Sequence, residues 1–272
     1  NITKGDVDYF KTDPSVGDTV FGKQDVPSTP KDEDLFDLGT LPEQEFQSKL
    51  TSINKARPSA IINKIQSAKK FESFQKGEKV FDVGGGAHDK TTEVFKGLGV
   101  ENNIYDPFNR TAVHNKKAIE RGGNEQSDRS IISNVLNVIK EHEPQVRALK
   151  QAADAIPEGK KVYILIHEGA GNKPNHPDFR QGKITKKDPE TGLPESWQRN
   201  EPAKDYLPTI KEVFPNATEK DLHGNMWVVT KESSKLTDDV VAKELADTLA
   251  DDFVQTRIHP MRDLPEEELA YV

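Results

Sequence analysis

The stretch Lys79-Val-Phe-Asp-Val-Gly-Gly-Gly-Ala-His88 decides how the rest of the chain is read. Val80, Phe81 and Val83 run straight into three glycines, as a buried parallel strand does when it ends in a turn that passes close to a ligand. Glycine has no Cβ, permits positive φ and lets backbone N–H groups approach a bound molecule. Outward from this turn, Lys90–Leu98 reads as a helix ended by Gly97 or Gly99. Asn103-Ile-Tyr-Asp-Pro107 reads as a short strand closing on Asp106, 22 residues after Gly84. Strand, glycine turn, helix, strand and acid make a nucleotide-type βαβ unit: the turn wraps the polar part of the ligand, and the acid accepts from ribose hydroxyls. The glycines are consecutive and fall outside the G-x-G-x-x-G register, which disfavours an NAD-dependent oxidoreductase.

The remaining pattern repeats strand and helix. Arg129–Val135 is a buried strand, followed by Leu136–Ile139 and a helix through Val146, Leu149 and Ala153. Lys160–Glu168 is the clearest strand of all. The rhythm predicts a mostly parallel sheet with helices on both faces and an antiparallel edge strand at Asp221–Lys231, preceded by a helix at Tyr206–Phe214. No strand is legible between 111 and 127. Residues 169–200 read as a long Gly-, Pro-, Lys- and Asp-rich loop. Upstream, Leu41–Lys55 predicts a helix carrying Phe46, Leu50 and Ile53, and a second helix starts near Ser59 with Ile61, Ile62 and Ile65 on one face. The expected organisation is an acidic extended arm over 1–40, pinned by Leu35, Phe36 and Leu38, then a helical lead-in over 41–78. The main domain spans 79–231. A C-terminal helix (Val240, Val241, Leu245, Leu249, Phe253) and acidic tail fill 232–272.

The net charge of −8 is unevenly placed. Residues 1–40 hold nine acids against four lysines, and residues 232–272 hold eleven acids against four basic residues, so 41–231 carries +4. The middle suits an anionic partner such as nucleic acid, while the ends repel one. No apolar run of about 18 residues exists to form a membrane helix. The chain has no Cys, which removes disulfides, thiolate metal sites and a Cys nucleophile. His167, Glu168 and His176 lie close together but lack metal-ligand spacing, so no metal is expected. The chain begins at Asn1, as a processed product or a piece of a longer polypeptide or assembly would.

Phe81-Asp-Val-Gly-Gly-Gly86, Tyr105-Asp106 and Ser133-Asn-Val-Leu-Asn-Val-Ile139 together resemble the motifs of class I S-adenosylmethionine-dependent methyltransferases, with their Rossmann-like fold, over about 80–231. Asp106-Pro-Phe-Asn-Arg110, Asn134–Lys140 and Arg147-Ala-Leu-Lys-Gln-Ala152 are similar to a group of bacterial and phage methyltransferases, some beside DNA-modification systems. The Val-Leu-Asn-Val-Ile run is the most specific element. The resemblance implies S-adenosylmethionine as cofactor, held by Asp82, Gly84, Gly85, Gly86, Asp106, Pro107 and Asn134. It implies Asn134, Asn137, His167 and Glu168 as catalytic residues. Thr185, Trp197, Gln198 and Arg199 are expected as a lid or substrate wall. An Asn at 134 or 137 hydrogen-bonds an acceptor but is no strong base; His167 and Glu168 are the acid–base candidates. No Asn-Pro-Pro-Tyr sequence occurs, which disfavours a standard adenine-N6 enzyme, and the lack of Cys excludes the covalent cytosine-C5 route. The expected setting is cytoplasmic, or virion-associated for a phage-encoded chain. The competing expectation is a catalytically silent cofactor-fold module of a larger phage or mobile-element protein.

Overall fold

The computed structural model describes residue 36 and residues 43–47, 57–170, 173–187, 189–190, 192 and 194–232. The arm over 1–34, the helix expected at 237–256, the acidic tail, and the pinning residues Leu35 and Leu38 lie outside the described residues. The body falls within the compact unit Leu35–Val272.

Its centre is a six-stranded, Rossmann-like sheet. Strands β1 (Lys79–Val83), β2 (Glu101–Tyr105), β3 (Arg129–Ser133) and β4 (Lys161–Leu165) run parallel in the order β2-β1-β3-β4. β5 (Gly182–Lys187) and β6 (Pro194–Arg199) form a separate antiparallel ribbon. β7 (Leu222–His223) and β8 (Met226–Thr230) complete the main sheet, with β8 antiparallel to β4 and β7 at the edge. The single strand expected over 221–231 is thus a hairpin, broken at Gly224, where φ is +68°.

Alternation along each strand feeds two cores. Val80, Ile131, Tyr163 and Leu165 pack with Phe95 of α2 (Lys90–Gly97) and with Ile61, Ile62 and Ile65 of α1 (Ala60–Ser67). Phe81, Val83, Ile132 and Ile164 pack against Ala118 of α3 (Ala112–Gly122), Leu149 and Ala152 of α4 (His142–Asp154), and Ile210 of α5 (Leu207–Lys211). A parallel sheet buried on both faces needs apolar side chains at both parities, and these strands supply them. Phe36 meets Phe81 and Tyr105 edge-on, with ring centroids 5.9 and 5.3 Å apart.

The chain passes from β2 through α3 directly into β3, so among the described residues no strand lies beyond β2. The helix expected from Leu41 is not present at Glu43–Gln47, which has no regular secondary structure and bends at Glu45. Tertiary contacts override helix propensity there: Glu45 N–H donates to Glu141 Oε1 at 3.0 Å, Glu45 pairs with Lys140, and Phe46 is buried with Lys140 Nζ 5.6 Å from its ring centre. The long loop over 169–200 instead contains the β5–β6 ribbon. Its base is closed by reciprocal backbone bonds, Arg180 N–H to Asn200 O at 2.7 Å and Asn200 N–H to Gln181 O at 3.0 Å.

At the N-terminal ends of the strands, Glu78 and Arg129 form a buried ion pair. Gln75 N–H donates to Glu78 Oε2 at 2.8 Å, and Arg129 Nη1 donates to Glu72 O at 3.1 Å. The guanidinium lies 4.6 Å from the Phe74 ring centre and 5.1 Å from that of Tyr163.

Candidate functional site

A cavity of about 330 Å³ opens at the C-terminal tips of β1, β2, β3 and β4, where an open α/β sheet places its ligands. Asp82, Gly84, Gly85, Gly86, Asp106, Pro107, Asn134, Asn137, His167, Thr185 and Gln198 all line it. Pairing in the main sheet brings together residues as far apart as Asp82 and His167, because each sits at or just past a strand end, and Thr185 and Gln198 reach the cavity from the separate ribbon.

The glycine turn is held from within. Gly84, at φ +72°, donates its N–H to Tyr105 O at 2.7 Å, and Gly86 donates to Asp106 Oδ2 at 2.9 Å. A Cβ on Gly85 would stand 2.7 Å from Asp82 Oδ2 and 2.9 Å from Ile104 Cγ2, so only glycine lets the turn close over Asp82. Arg110 Nε donates to Gly86 O at 2.7 Å while its Nη2 pairs with Asp89 at 2.8 Å.

Asp106 is a builder of this turn. Besides Gly86, its carboxylate accepts from Phe108 N–H (3.1 Å), Asn109 N–H (2.9 Å) and the Asn109 amide. Asn115 clamps its backbone, accepting from Asp106 N–H at 2.9 Å and donating to Asp106 O at 3.0 Å. A carboxylate offers about four lone-pair sites, and protein donors already claim them. Asp106 therefore fixes the shape of the turn, while also lining the cavity at the position expected to meet a ribose.

Asp82 is different. It is 1 % exposed, and its Oδ2 has no hydrogen-bond partner among the described residues. Burial pushes its carboxyl up to about 7; the Asn102 side chain pulls it down, Asp106 pushes it up and Arg110 pulls it down. Removing a carboxylate from water disfavours its charged form.

Across the cavity, Asn134 follows β3 with φ +58°, its N–H donating to Leu165 O at 2.8 Å. Asn is among the few residues that tolerate the left-handed region. The turn Leu136–Val138 buries Asn137, whose Oδ1 accepts from His167 N–H at 3.5 Å. Gln145 braces this turn by donating to Leu136 O and Ile139 O at 3.0 and 2.8 Å. Thr185 is the residue the β5–β6 register skips, and such a bulge re-aims a side chain. Its hydroxyl lies 3.0 Å from Ser196 Oγ.

Three expected residues stand outside the cavity lining. Glu168 accepts from Ala203 N–H at 2.7 Å, an anchor for the turn before α5. Trp197 is buried against Gly182, where a Cβ would meet its ring at 2.2 Å. Arg199 donates to Lys140 O at 3.0 Å and lies 5.3 Å from the Trp197 ring centre. Conversely, Gln44, Gln47, Ser59, Ser133 and Arg147 line the cavity unforeseen. Ser59 Oγ donates to Ser133 Oγ at 2.6 Å, a bond 74 residues apart with no local signature. Among the described residues no cluster of metal-ligating side chains occurs, and no helix is long and apolar enough to cross a membrane.

No protein-family model matches the chain, and no curated protein does. Among solved structures, a SAM-dependent methyltransferase from Methanosarcina mazei is similar with TM-score 0.39 at 12% identity, over 57% of this chain and 84% of its own. A structure from the conversion of a disulfide bond into a thioacetal group during echinomycin biosynthesis gives 0.37 at 16%, over 70% and 88%. For a Haemonchus contortus phosphoethanolamine N-methyltransferase 2, in complex with phosphomonomethylethanolamine and S-adenosylhomocysteine, the values are 0.27 and 13%, and the chain spans 39% of itself and only 28% of that enzyme. At such scores the reading of the site rests on its own residues.

Proposed function

We propose that the chain is an S-adenosylmethionine-dependent methyltransferase. The carrying observation is a buried carboxylate with an unmet oxygen, Asp82 Oδ2, beneath a glycine turn whose Gly84 and Gly86 N–H groups are already bonded inside the protein. A dinucleotide or nucleotide site presents free N–H groups to phosphate. Here those donors are spent and a carboxylate lines the same space, which repels phosphate and favours a cationic ligand. S-adenosylmethionine carries an ammonium and a sulfonium.

Asp82, under the turn, supplies the negative charge that favours the cationic amino-acid end, and Phe108 and Val135 offer apolar lining to a flat heterocycle. When bound, the cofactor supplies a methyl group already activated on sulfur, so positioning and exclusion of water are the protein's main tasks. Asn134 and Asn137 orient the acceptor. His167, exposed just past the end of β4, would receive the proton that the acceptor's nitrogen or oxygen gives up on taking the methyl group, or pass it to water. A phage or mobile-element DNA-modification setting and a cytoplasmic location belong to this proposal, supported by the likeness of Val135–Ile139 to that group.

Calorimetric titration with S-adenosylmethionine, S-adenosylhomocysteine, NADH and ATP tests the reading. The first two are expected to bind and the last two not. A folded chain that binds neither of the first two sinks it, and binding without any methyl transfer across an acceptor panel leaves the silent-module reading.

A further inference from the structure

The cavity has two chemically distinct sides. Toward β1 and β2 its acids are Asp82 and Asp106, with Asn109 beside them. The rest of its polar lining holds the carboxamides of Gln44, Gln47, Asn134, Asn137, Gln151 and Gln198 and the hydroxyls of Ser59, Ser133 and Thr185, with no acid. No Lys or Glu lines the cavity among the described residues, and its one guanidinium, Arg147, is engaged within the protein. A cationic acceptor drawn into the carboxamide side meets no acid there, and an anionic one meets only Arg147, so a charged acceptor loses hydration with little in return. A neutral planar edge with alternating N–H and lone pairs meets carboxamides donor to acceptor, as Asn and Gln meet the N6 and N7 of adenine. The side chains of Gln44, Gln47 and Asn134 make no hydrogen bond among the described residues, so their groups are spare for such an edge.

A second observation lies beside the first. β5 is exposed along its whole length and carries Lys183, Lys186 and Lys187 with no acid. Lys183 pairs with Asp178 at 2.9 Å, whereas Lys186 and Lys187 have no ion pair among the described residues. Thr185 sits between these lysines and also lines the cavity, so a polyanion lying along β5 passes the cavity mouth.

We propose that the methyl acceptor is an unstacked base of a nucleic-acid strand, its edge against the carboxamides and its phosphates along the β5 lysines. The proposal rests on the methyltransferase reading. Enzymes that act on a base must take it out of the stack, and a single strand offers it at least cost. With no Cys for attack on cytosine C6, the methylated atom is a nitrogen or oxygen of the base edge.

The test titrates the full chain, with and without saturating S-adenosylhomocysteine, with fluorescent single-stranded DNA and RNA 12-mers of mixed sequence. In parallel, transfer of labelled methyl is measured to those strands, to the free nucleosides and to an Asn- and Gln-containing peptide. The strands are expected to bind and to be methylated. The double variant Lys186→Glu/Lys187→Glu should weaken strand binding at least tenfold and lower its log–log salt slope by about 1.4. Gln44→Leu/Gln47→Leu should lower transfer to the strand about tenfold, the usual effect of losing hydrogen bonds in a desolvated site, with S-adenosylhomocysteine affinity unchanged. Transfer to the peptide but not the strands overturns the proposal, as does transfer confined to free nucleosides or strand binding indifferent to the lysine variant. Cofactor binding without strand binding removes the acceptor alone; strand binding without cofactor binding removes the methyltransferase reading instead.

Discussion

Strand β1 is flanked by buried acids at its two ends, and the two ends treat them in opposite ways. Glu78, just before β1, and Asp82, near its end, are 8 % and 1 % exposed, so burial does not separate them. Partners do. Glu78 has Arg129 and the Gln75 N–H, and Arg129 is itself sandwiched by two rings. Asp82 has an oxygen facing no donor among the described residues. The same contrast runs along β3, from the satisfied Arg129 to Asn134 held at positive φ. One end of the sheet is finished by the fold; the other leaves a buried carboxyl oxygen without a partner among the described residues and an asparagine in the left-handed region.

The largest effect is expected at the finished end. Arg129→Leu leaves Glu78 buried without its cation and should cost about 3–5 kcal/mol. Urea unfolding should detect this loss, while S-adenosylhomocysteine affinity of the folded fraction stays as it was; a loss of affinity in proportion would mean that the two ends are coupled.

At the unfinished end the sign reverses. Asp82 has a folded-state pKa of about 7 against 3.8 for the ordinary group. The folded chain therefore holds a proton that the unfolded chain has released, and stability falls as pH rises from about 4 to about 7, then levels. Asp82→Asn should remove that slope, gaining on the order of 2–4 kcal/mol at pH 8 and nothing below pH 4, while weakening binding of S-adenosylmethionine. Parallel stability–pH curves for the two proteins would contradict this account. A smaller loss, about 1–3 kcal/mol, is expected for Asp106→Ala, which strips the acceptor from three backbone N–H groups; cofactor affinity should fall with it because the turn loosens. The smallest change is expected for Asn134→Gly, within about 1 kcal/mol of the parent, since glycine accepts φ +58° without strain. Methyl transfer by this variant should drop well beyond what its stability predicts, because the carboxamide is gone.

How much of this was legible depends on how local the cause is. The parallel strands were readable because burial on both faces writes continuous apolar runs such as Val162–Ile166, and the glycine turn because a turn pressed onto Asp82 admits nothing larger. The Asp106 position was readable but its part in building the turn was not, since the donors come from Gly86, Phe108 and Asn109 only once the turn has folded. Arg110 belongs to a legible motif, but its bracing role was not legible because its partners Gly86 and Asp89 lie more than twenty residues upstream. The ribbon was hidden for a different reason. An exposed strand such as Gly182-Lys-Ile-Thr-Lys-Lys187 has no buried face to impose alternation, and its one deep contact, Gly182 against Trp197, is visible only after the strands have paired.

The closed base of that ribbon has an engineering consequence. Arg180, Gln181 and Asn200 tie its two ends together by backbone bonds alone, so the sheet receives the same short link whatever lies between them. Because loop-closure cost grows only slowly with length, the segment between 181 and 200 is an exchangeable cartridge. Replacing it resets which molecules reach the cavity mouth while the turn around Asp82 stays as it is.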